Sequence, residues 1–327
     1  EIYTAAINAR ASDIHIEALE ESCCVRLRVD GDLTLFQSYH KEEHVRLIAR
    51  IKILAKLDIA EQRLPQDGRL QIYSDLTSTE IDCRVSTLPT LYGEKVVIRL
   101  LNTSAHELKL DHIGFSDLQC QIVRRALGQS HGLILVCGPT GSGKTRTNLC
   151  TIEDPIEIRL RGVNQVAYHP KAGLDFGVII RALLRQDPDV IMIGEIRDRD
   201  TAALAMSAAQ TGHLVLSTIH TRSALSCIDR LENLGLDRHA ITNSLLFISS
   251  QRLIKRIDNS ATCGRIAIHE VLEFTNTLCA GIQQNIPLCE IKKIAQLEGF
   301  STMSENAKDL AQRGIIENAL CIQEMFI

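Results

Sequence analysis

The run Gly138-Pro139-Thr140-Gly141-Ser142-Gly143-Lys144-Thr145 constrains this chain more than any other stretch. It fits the pattern G-x-x-x-x-G-K-[ST], whose glycines let the backbone wrap so that several N–H groups point inward at phosphate oxygens, at the positive end of a following helix. Such a loop has to be held between a buried strand and a helix. Leu133-Ile134-Leu135-Val136-Cys137 ahead of it reads as an interior strand of a parallel sheet, and Arg146-Thr147-Asn148-Leu149 behind it opens a helix. In that setting Lys144 reaches the β- and γ-phosphates and the Thr145 hydroxyl holds Mg²⁺. The expectation is a nucleoside triphosphate site spanning the whole loop.

The span after the loop is short. Six residues separate Lys144 from the strand-like Thr151-Ile152-Glu153, whereas a parallel crossover takes about a dozen residues or more. Either the helix is abnormally short or residues are missing there, and the second fits better. The junction at Asp258-Asn259-Ser260 raises the same question.

With 327 residues the chain has room for two domains, each with its own core. Its 45% hydrophobic and 23% charged residues are ordinary for a soluble protein. Aromatics make up 4% and Trp is absent, which argues against a stacking platform for single-stranded nucleic acid. A net charge of −4 supplies no field for DNA or RNA either. No apolar run approaches the ~18 residues of a membrane span, and no secretory signal opens the chain. The eleven cysteines lack disulfide-framework spacing and fit free thiols in a reducing cytosol.

Two textures divide the sequence. From residue 1 to 103, period-two patterns recur in Ser12-Asp13-Ile14-His15-Ile16-Glu17, Val25-Arg26-Leu27-Arg28-Val29 and Ile81-Asp82-Cys83-Arg84-Val85. Asp30-Gly31-Asp32 reads as a hairpin turn. Leu47, Ile48, Ile51, Leu54 and Ala55 form one face of a helix covering that sheet. Asn102 to Asp111 reads as a linker or a packed loop. From 104 to 327 strands alternate with helices, the mark of a parallel α/β core. Strands are expected at Leu133–Cys137, Val163–Ala167, Val190–Ile193 and Leu214–Thr218. Helical segments are expected around Ile241, Leu245 and Ile248 and at Gln251-Arg252-Leu253, with a small helical cluster beyond 272.

The segment Leu184-Arg185-Gln186-Asp187-Pro188-Asp189-Val190-Ile191-Met192-Ile193-Gly194-Glu195-Ile196-Arg197-Asp198 carries further chemistry. Pro188 and the acidic residues end a helix, four apolar residues make a buried strand, and Glu195 emerges at its carboxyl end. Ligands of open α/β sheets bind at those strand ends. A carboxylate there can face Mg²⁺ through water or orient an attacking water.

This segment, the phosphate loop, the acidic cluster Thr151-Ile152-Glu153-Asp154-Pro155-Ile156-Glu157, and Thr211-Gly212-His213-Leu214-Val215-Leu216-Ser217-Thr218-Ile219-His220-Thr221 occur in order. Together they resemble the Walker A, Asp box, Walker B and His box of the secretion ATPase superfamily. Ala11-Ser12-Asp13-Ile14-His15-Ile16-Glu17, Leu64-Pro65-Gln66-Asp67-Gly68-Arg69 and Arg84-Val85-Ser86-Thr87-Leu88-Pro89 resemble the branch that powers type II secretion and type IV pilus extension, more than the retraction ATPases. The resemblance spans nearly the whole chain. It implies an α/β fold in which a smaller PAS-like α+β N-terminal domain (1–103) joins a RecA-like ATPase domain (104–327). It also implies a homo-hexameric ring, peripheral at the cytoplasmic face of the inner membrane, that works with a platform protein and a docking protein and touches no nucleic acid directly.

Carried over residue by residue, the resemblance makes Lys144 and Thr145 ligands of ATP and Mg²⁺ and gives Glu195 the Walker B role. Glu153, Asp154 or Glu157 would position or activate water. Arg84 and Arg99 fall where the family uses arginines of its N-terminal domain at the γ-phosphate. Arg181 and Arg185, four apart on one helix face, also match family arginines. An arginine delivered to a transferring phosphoryl group is worth ~10³–10⁵ in rate. His220 would sense the γ-phosphate, with His213 a weaker candidate. The paired Cys-x-x-Cys zinc module of many members is reduced here to Cys263, and one thiolate cannot make a four-ligand site. The expectation is therefore that zinc is absent or its loop is missing, and that the family's amino-terminal docking extension is absent as well. A retraction or DNA-transfer ATPase of the same superfamily, or a nucleotide-sensing scaffold without useful turnover, are the competing readings.

Overall fold

Alternating apolar and polar residues fold the first part of the chain into a sheet with one greasy and one charged face. The computed structural model describes residues 1–74, 79–101, 110, 113–137, 148–158, 160–255 and 265–316. Contacts divide the chain into two units, Glu1–His106 and Glu107–Ile327. The phosphate loop Gly138–Thr145, Cys263, and all of the expected linker except Leu110 lie outside the described residues.

In the first unit, strands β1 (Asp13–Ala18), β2 (Ser22–Val29), β3 (Asp32–His40), β4 (Gln66–Ser74), β5 (Thr79–Thr90) and β6 (Gly93–Leu101) form one antiparallel sheet in the order β3-β2-β1-β6-β5-β4. Cys23, Val25 and Leu27 of β2 point into the core, and Arg26 and Arg28, which alternate with them along the strand, point away. Asp30 and Gly31 both adopt positive φ (50° and 95°) in the β2–β3 turn, the backbone a two-residue hairpin requires. Helices α1 (Ile2–Asn8) and α2 (Lys41–Leu54) cover the apolar face, where Ala6, Ile48 and Ile51 join the sheet residues in one cluster.

The second unit is built on a seven-stranded sheet. Its strands are β7 (Gly132–Cys137), β8 (Leu149–Glu153), β9 (Asn164–Ala167), β10 (Val190–Ile193), β11 (Leu214–Thr218), β12 (Leu245–Lys255) and β13 (Arg265–Glu273), in the order β13-β12-β7-β11-β10-β8-β9. Only the β12–β13 pair is antiparallel. Leu133 and Leu135 of β7 enter one apolar cluster and Ile134 another, so this central strand is buried on both faces. On one side pack helices α4 (Phe176–Leu183), α5 (Arg199–Gln210), α6 (Ala224–Asn233) and α7 (Arg238–Ser244); on the other packs α3 (Asp117–Leu127). The expected C-terminal cluster contains α8 (Asn276–Gln283), α9 (Leu288–Leu297) and α10 (Met303–Gln312). No helix among the described residues is long and apolar enough to cross a membrane.

Two expectations are overturned: Leu149, expected in a helix opening behind the phosphate loop, instead begins strand β8, and a second helix gives way to a strand further on. The helix expected around Ile241, Leu245 and Ile248 ends at Ser244, and Gln251-Arg252-Leu253 is not helical: Leu245 to Lys255 is strand β12. The unbroken run Leu245-Leu246-Phe247-Ile248 suits a helix or an interior strand equally well. The seat between β7 and β13 decides, because a strand there buries Phe247 on one face and Leu245 and Ile248 on the other.

Candidate active site

Parallel strands bring their carboxyl ends to one edge of the sheet. The register sets Ile152 beside Ile193, Ile193 beside Ser217, and Thr218 beside Val136. The next residues along β8, β10 and β7 are therefore Glu153, Gly194 and Cys137, the last immediately before the phosphate loop. Gly194 donates its N–H to the Ile152 carbonyl at 2.7 Å, and its own carbonyl accepts the Thr218 hydroxyl at 2.6 Å. A Cβ there would stand 2.9 Å from the Ile152 oxygen, so only glycine fits this close approach. The Ile196 N–H, bonded to the Thr218 carbonyl at 2.8 Å, closes the bend from which Glu195 projects.

Glu195 is engaged through both oxygens. Arg197 donates to Oε1, and Nε2 of His220 lies 3.4 Å from Oε2. The same Arg197 guanidinium is 3.4 Å from Oδ2 of Asp154. The Arg197 hydrogen bond holds the Glu195 carboxyl below the usual carboxylate range; burial opposes it, and the charges of Arg197 and His220 add to it.

Glu153 is held differently, by neutral donors. Its Oε1 accepts the Thr151 hydroxyl at 2.7 Å and the Gln165 side-chain amide at 2.8 Å. Gln165 also donates to the Ile158 carbonyl at 2.8 Å and accepts the Leu160 N–H at 2.8 Å. A cleft of about 170 Å³ gathers Glu153, Asp154, Pro155, Glu157, Phe176, Met192, Gly194, Glu195, Thr218 and His220. Tyr168 stacks on Phe176, which lines the cleft, with ring centroids 4.8 Å apart.

Of the residues expected from sequence, the fold thus assembles Glu153, Asp154, Glu157, Glu195 and His220. Arg181 and Arg185 are exposed at the end of α4, where Arg185 donates to the Arg181 carbonyl at 2.8 Å, and neither lines the cleft. His213 stands at the opposite end of β11 from His220, with Nδ1 3.1 Å from the Ala208 carbonyl. In the first unit Arg84 and Arg99 are cross-strand neighbours on β5 and β6. Arg99 donates to Oδ1 of Asp13 at 2.9 Å. Burial pushes the Asp13 carboxyl up, but the hydrogen bonds from Arg99 and Ser12 outweigh it and leave it lowered.

Arg197 and Thr218 lie inside motifs marked in the sequence but were given no role there, and Gln165 lies in the expected strand Val163–Ala167 with nothing to mark it. Arg197 lies two residues beyond Glu195, while Asp198 next to it turns away to cap α5 by accepting the Thr201 N–H at 2.8 Å. Among the described residues no group of three or more His, Cys, Asp or Glu could by itself enclose a metal ion.

Residues 1–326 match the family described as Type II/IV secretion system protein. The Haemophilus influenzae protein described as a protein transport protein HofB homolog is 42% identical over 322 residues, covering 90% of this chain and 69% of its own length. Type II secretion system protein E of Pseudomonas aeruginosa is 46% identical over 263 residues, 76% of this chain and 52% of that protein. Type IV pilus assembly ATPase PilB of Acinetobacter baylyi is 37% identical over 363 residues, 95% of this chain and 62% of PilB. That alignment is longer than the 327-residue chain itself, so PilB carries segments inside the match that this chain lacks. Among solved structures, the Legionella pneumophila ATPase DotB shares the fold, with a TM-score of 0.78 and 20% identity over 99% of this chain and 94% of DotB. The pilus retraction motor PilT, solved with bound ADP, has a TM-score of 0.70 and 26% identity over 97% of this chain and 93% of PilT. With almost every residue inside the family match and strong identity to several members, this chain belongs to the type II/IV secretion system protein family.

Proposed function

We propose that this chain is an ATPase that hydrolyses Mg-ATP as one subunit of a homo-hexameric motor, powering pseudopilus or pilus assembly in type II secretion or type IV pilus biogenesis. The observation that carries the reading is the acidic cleft at the carboxyl ends of β8, β10 and β11, beside the strand that leads into Gly138–Thr145. Named relatives in protein secretion and pilus assembly, at 37 to 46% identity, favour assembly over retraction.

In this reading the loop Gly138–Thr145 cradles the phosphates, with Lys144 at the β- and γ-positions. Bound Mg²⁺ would supply counter-charge on the side of Thr145 and Glu195. Glu153 takes the water proton: its Oε2 has no donor among the described residues, whereas Glu195 is occupied at both oxygens and Asp154 faces Arg197. His220 adjoins Glu195 and reports on the γ-phosphate. Arg84, Arg99, Arg181 and Arg185 serve the developing phosphoryl charge from elsewhere in the assembly. A PAS-like domain over 1–103 and a RecA-like domain over 104–327 would convert turnover into motion against a platform protein, at the cytoplasmic face of the inner membrane and without contacting nucleic acid. Zinc has no part in this reading.

A steady-state ATPase assay of the assembled protein tests it. Lys144→Ala and Glu195→Gln should each lower turnover by about 10²-fold or more. Unchanged turnover in both would sink the proposal.

A further inference from the structure

Thr151 and Glu153 stand two apart on β8, so their side chains leave the same face of the sheet. Gln165 on the edge strand β9 is the register partner of Thr151 and joins them on that face. Both neighbours spend a donor on one atom, Oε1 of Glu153, at 2.7 and 2.8 Å. The Gln165 amide cannot turn over, because Leu160 donates its N–H to the amide oxygen at 2.8 Å and a flip would set two N–H groups face to face. Its nitrogen is thereby committed to Glu153 and to the Ile158 carbonyl. One side chain thus ties the carboxylate to the backbone of Ile158 and of Leu160, which follow Asp154 and Glu157 in the chain.

We propose that Gln165 is a positioning residue for the reaction: by saturating Oε1 of Glu153 together with Thr151, it aims Oε2 at the attacking water. The proposal rests on the reading of Glu153 as the group that activates water. In the step it serves, Oε2 takes a proton from water as the water oxygen bonds to the γ-phosphorus. The bond from that phosphorus to the bridging oxygen breaks, and ADP leaves with the electron pair. A carboxylate free to rotate would meet the water in the right geometry only part of the time, which lowers the rate of the step and leaves nucleotide binding alone.

The test compares Gln165→Leu, Thr151→Val, the double variant and Glu153→Gln in the full chain. It measures kcat and KM for ATP, the dissociation constant of a fluorescent ADP analogue, and the thermal midpoint. Gln165→Leu is expected to lower kcat about tenfold or more while KM and ADP affinity stay within about twofold. Thr151→Val should show the same split to a lesser degree, and the double variant should lose less than the product of the single losses, since both donors serve one oxygen. If Gln165→Leu does not fold, Thr151→Val alone carries the comparison. Wild-type kcat in the folded Gln165→Leu protein, or a loss of kcat matched by an equal loss of ADP affinity, overturns the positioning role. Wild-type turnover in Glu153→Gln overturns instead the reading of Glu153 on which it rests.

Discussion

The Arg197 guanidinium links Glu195 to Asp154, donating to one carboxylate and standing 3.4 Å from the other. Two carboxylates crowded at one strand edge repel each other, and the arginine is the counter-charge built into the fold. Because its hydrogen bond is the foremost cause that lowers the Glu195 pKa, Arg197→Ala must raise it. A depressed carboxylate stays ionised until the pH falls well below the usual range, so the variant should lose ionised Glu195 at higher pH. The acid limb of the kcat/KM profile is therefore expected to move to higher pH, with turnover at neutral pH down by about tenfold. An unmoved acid limb would show that Glu195 is not the group that profile reports.

Glu270 sits deep in the second unit and caps two helices at once. Its Oε1 accepts the N–H of Ala224, which opens α6, and its Oε2 accepts the N–H of Met303, which opens α10, at 3.0 Å. Both helices point their positive ends at the buried carboxylate. Glu270→Ala leaves two buried donors unsatisfied and should cost about 2–4 kcal/mol in chemical denaturation. Burial pushes the Glu270 carboxyl up, against the two N–H donors. The folded state thus holds its proton more readily than the unfolded chain, and the contribution of this group to stability grows as the pH falls through the carboxylate range. Glu270→Gln should erase that slope.

Period-two alternation foretold the charged and apolar faces of β2, and the pattern Val190–Ile193 followed by Glu195 foretold a carboxylate at a strand end. Both are local: the neighbours in sequence are the neighbours that matter. β12 was misread because its apolar run is compatible with two periods, and only the strands on either side choose between them. Gln165 escaped for a related reason. It acts on Glu153 across a strand pair, twelve residues away, and nothing in the short segment around it marks that partner. Arg99 was legible as a candidate, but its bond to Asp13, 86 residues distant in the chain, was not.

Glu17 makes the first unit acid-sensitive. Burial pushes its carboxyl up, but Arg26, bonded through Nε and Nη2 at 2.8 Å each, and Lys95, at 2.8 Å, bring it from the ordinary 4.5 to about 2. A carboxylate lowered on folding contributes stability in full above its unfolded value and loses it as the pH falls towards the folded one. Unfolding followed by circular dichroism should show the wild type weakening between pH 4.5 and about 2. Glu17→Gln should start less stable at neutral pH by about 1–3 kcal/mol and show a shallower decline over that window.

Lys52 and Glu94 form an ion pair inside the first unit, 1% and 7% exposed. The ammonium is 2.7 Å from Oε1 of Glu94 but poorly aligned for a hydrogen bond, so the attraction is chiefly Coulombic; its aligned bond goes to the Glu61 carbonyl at 2.8 Å. Removing one partner strands the other charge in the core, where it cannot recover its hydration. Glu94→Gln or Lys52→Met should each cost about 3–5 kcal/mol. Replacing both, as Lys52→Met with Glu94→Leu, removes the two desolvation penalties together and should cost less than the sum of the single changes. A double-mutant cycle by denaturant unfolding reads the difference as a coupling energy. Additive losses would mean that the pair is held by its separate contacts to Glu61 and the surrounding backbone and not by mutual attraction.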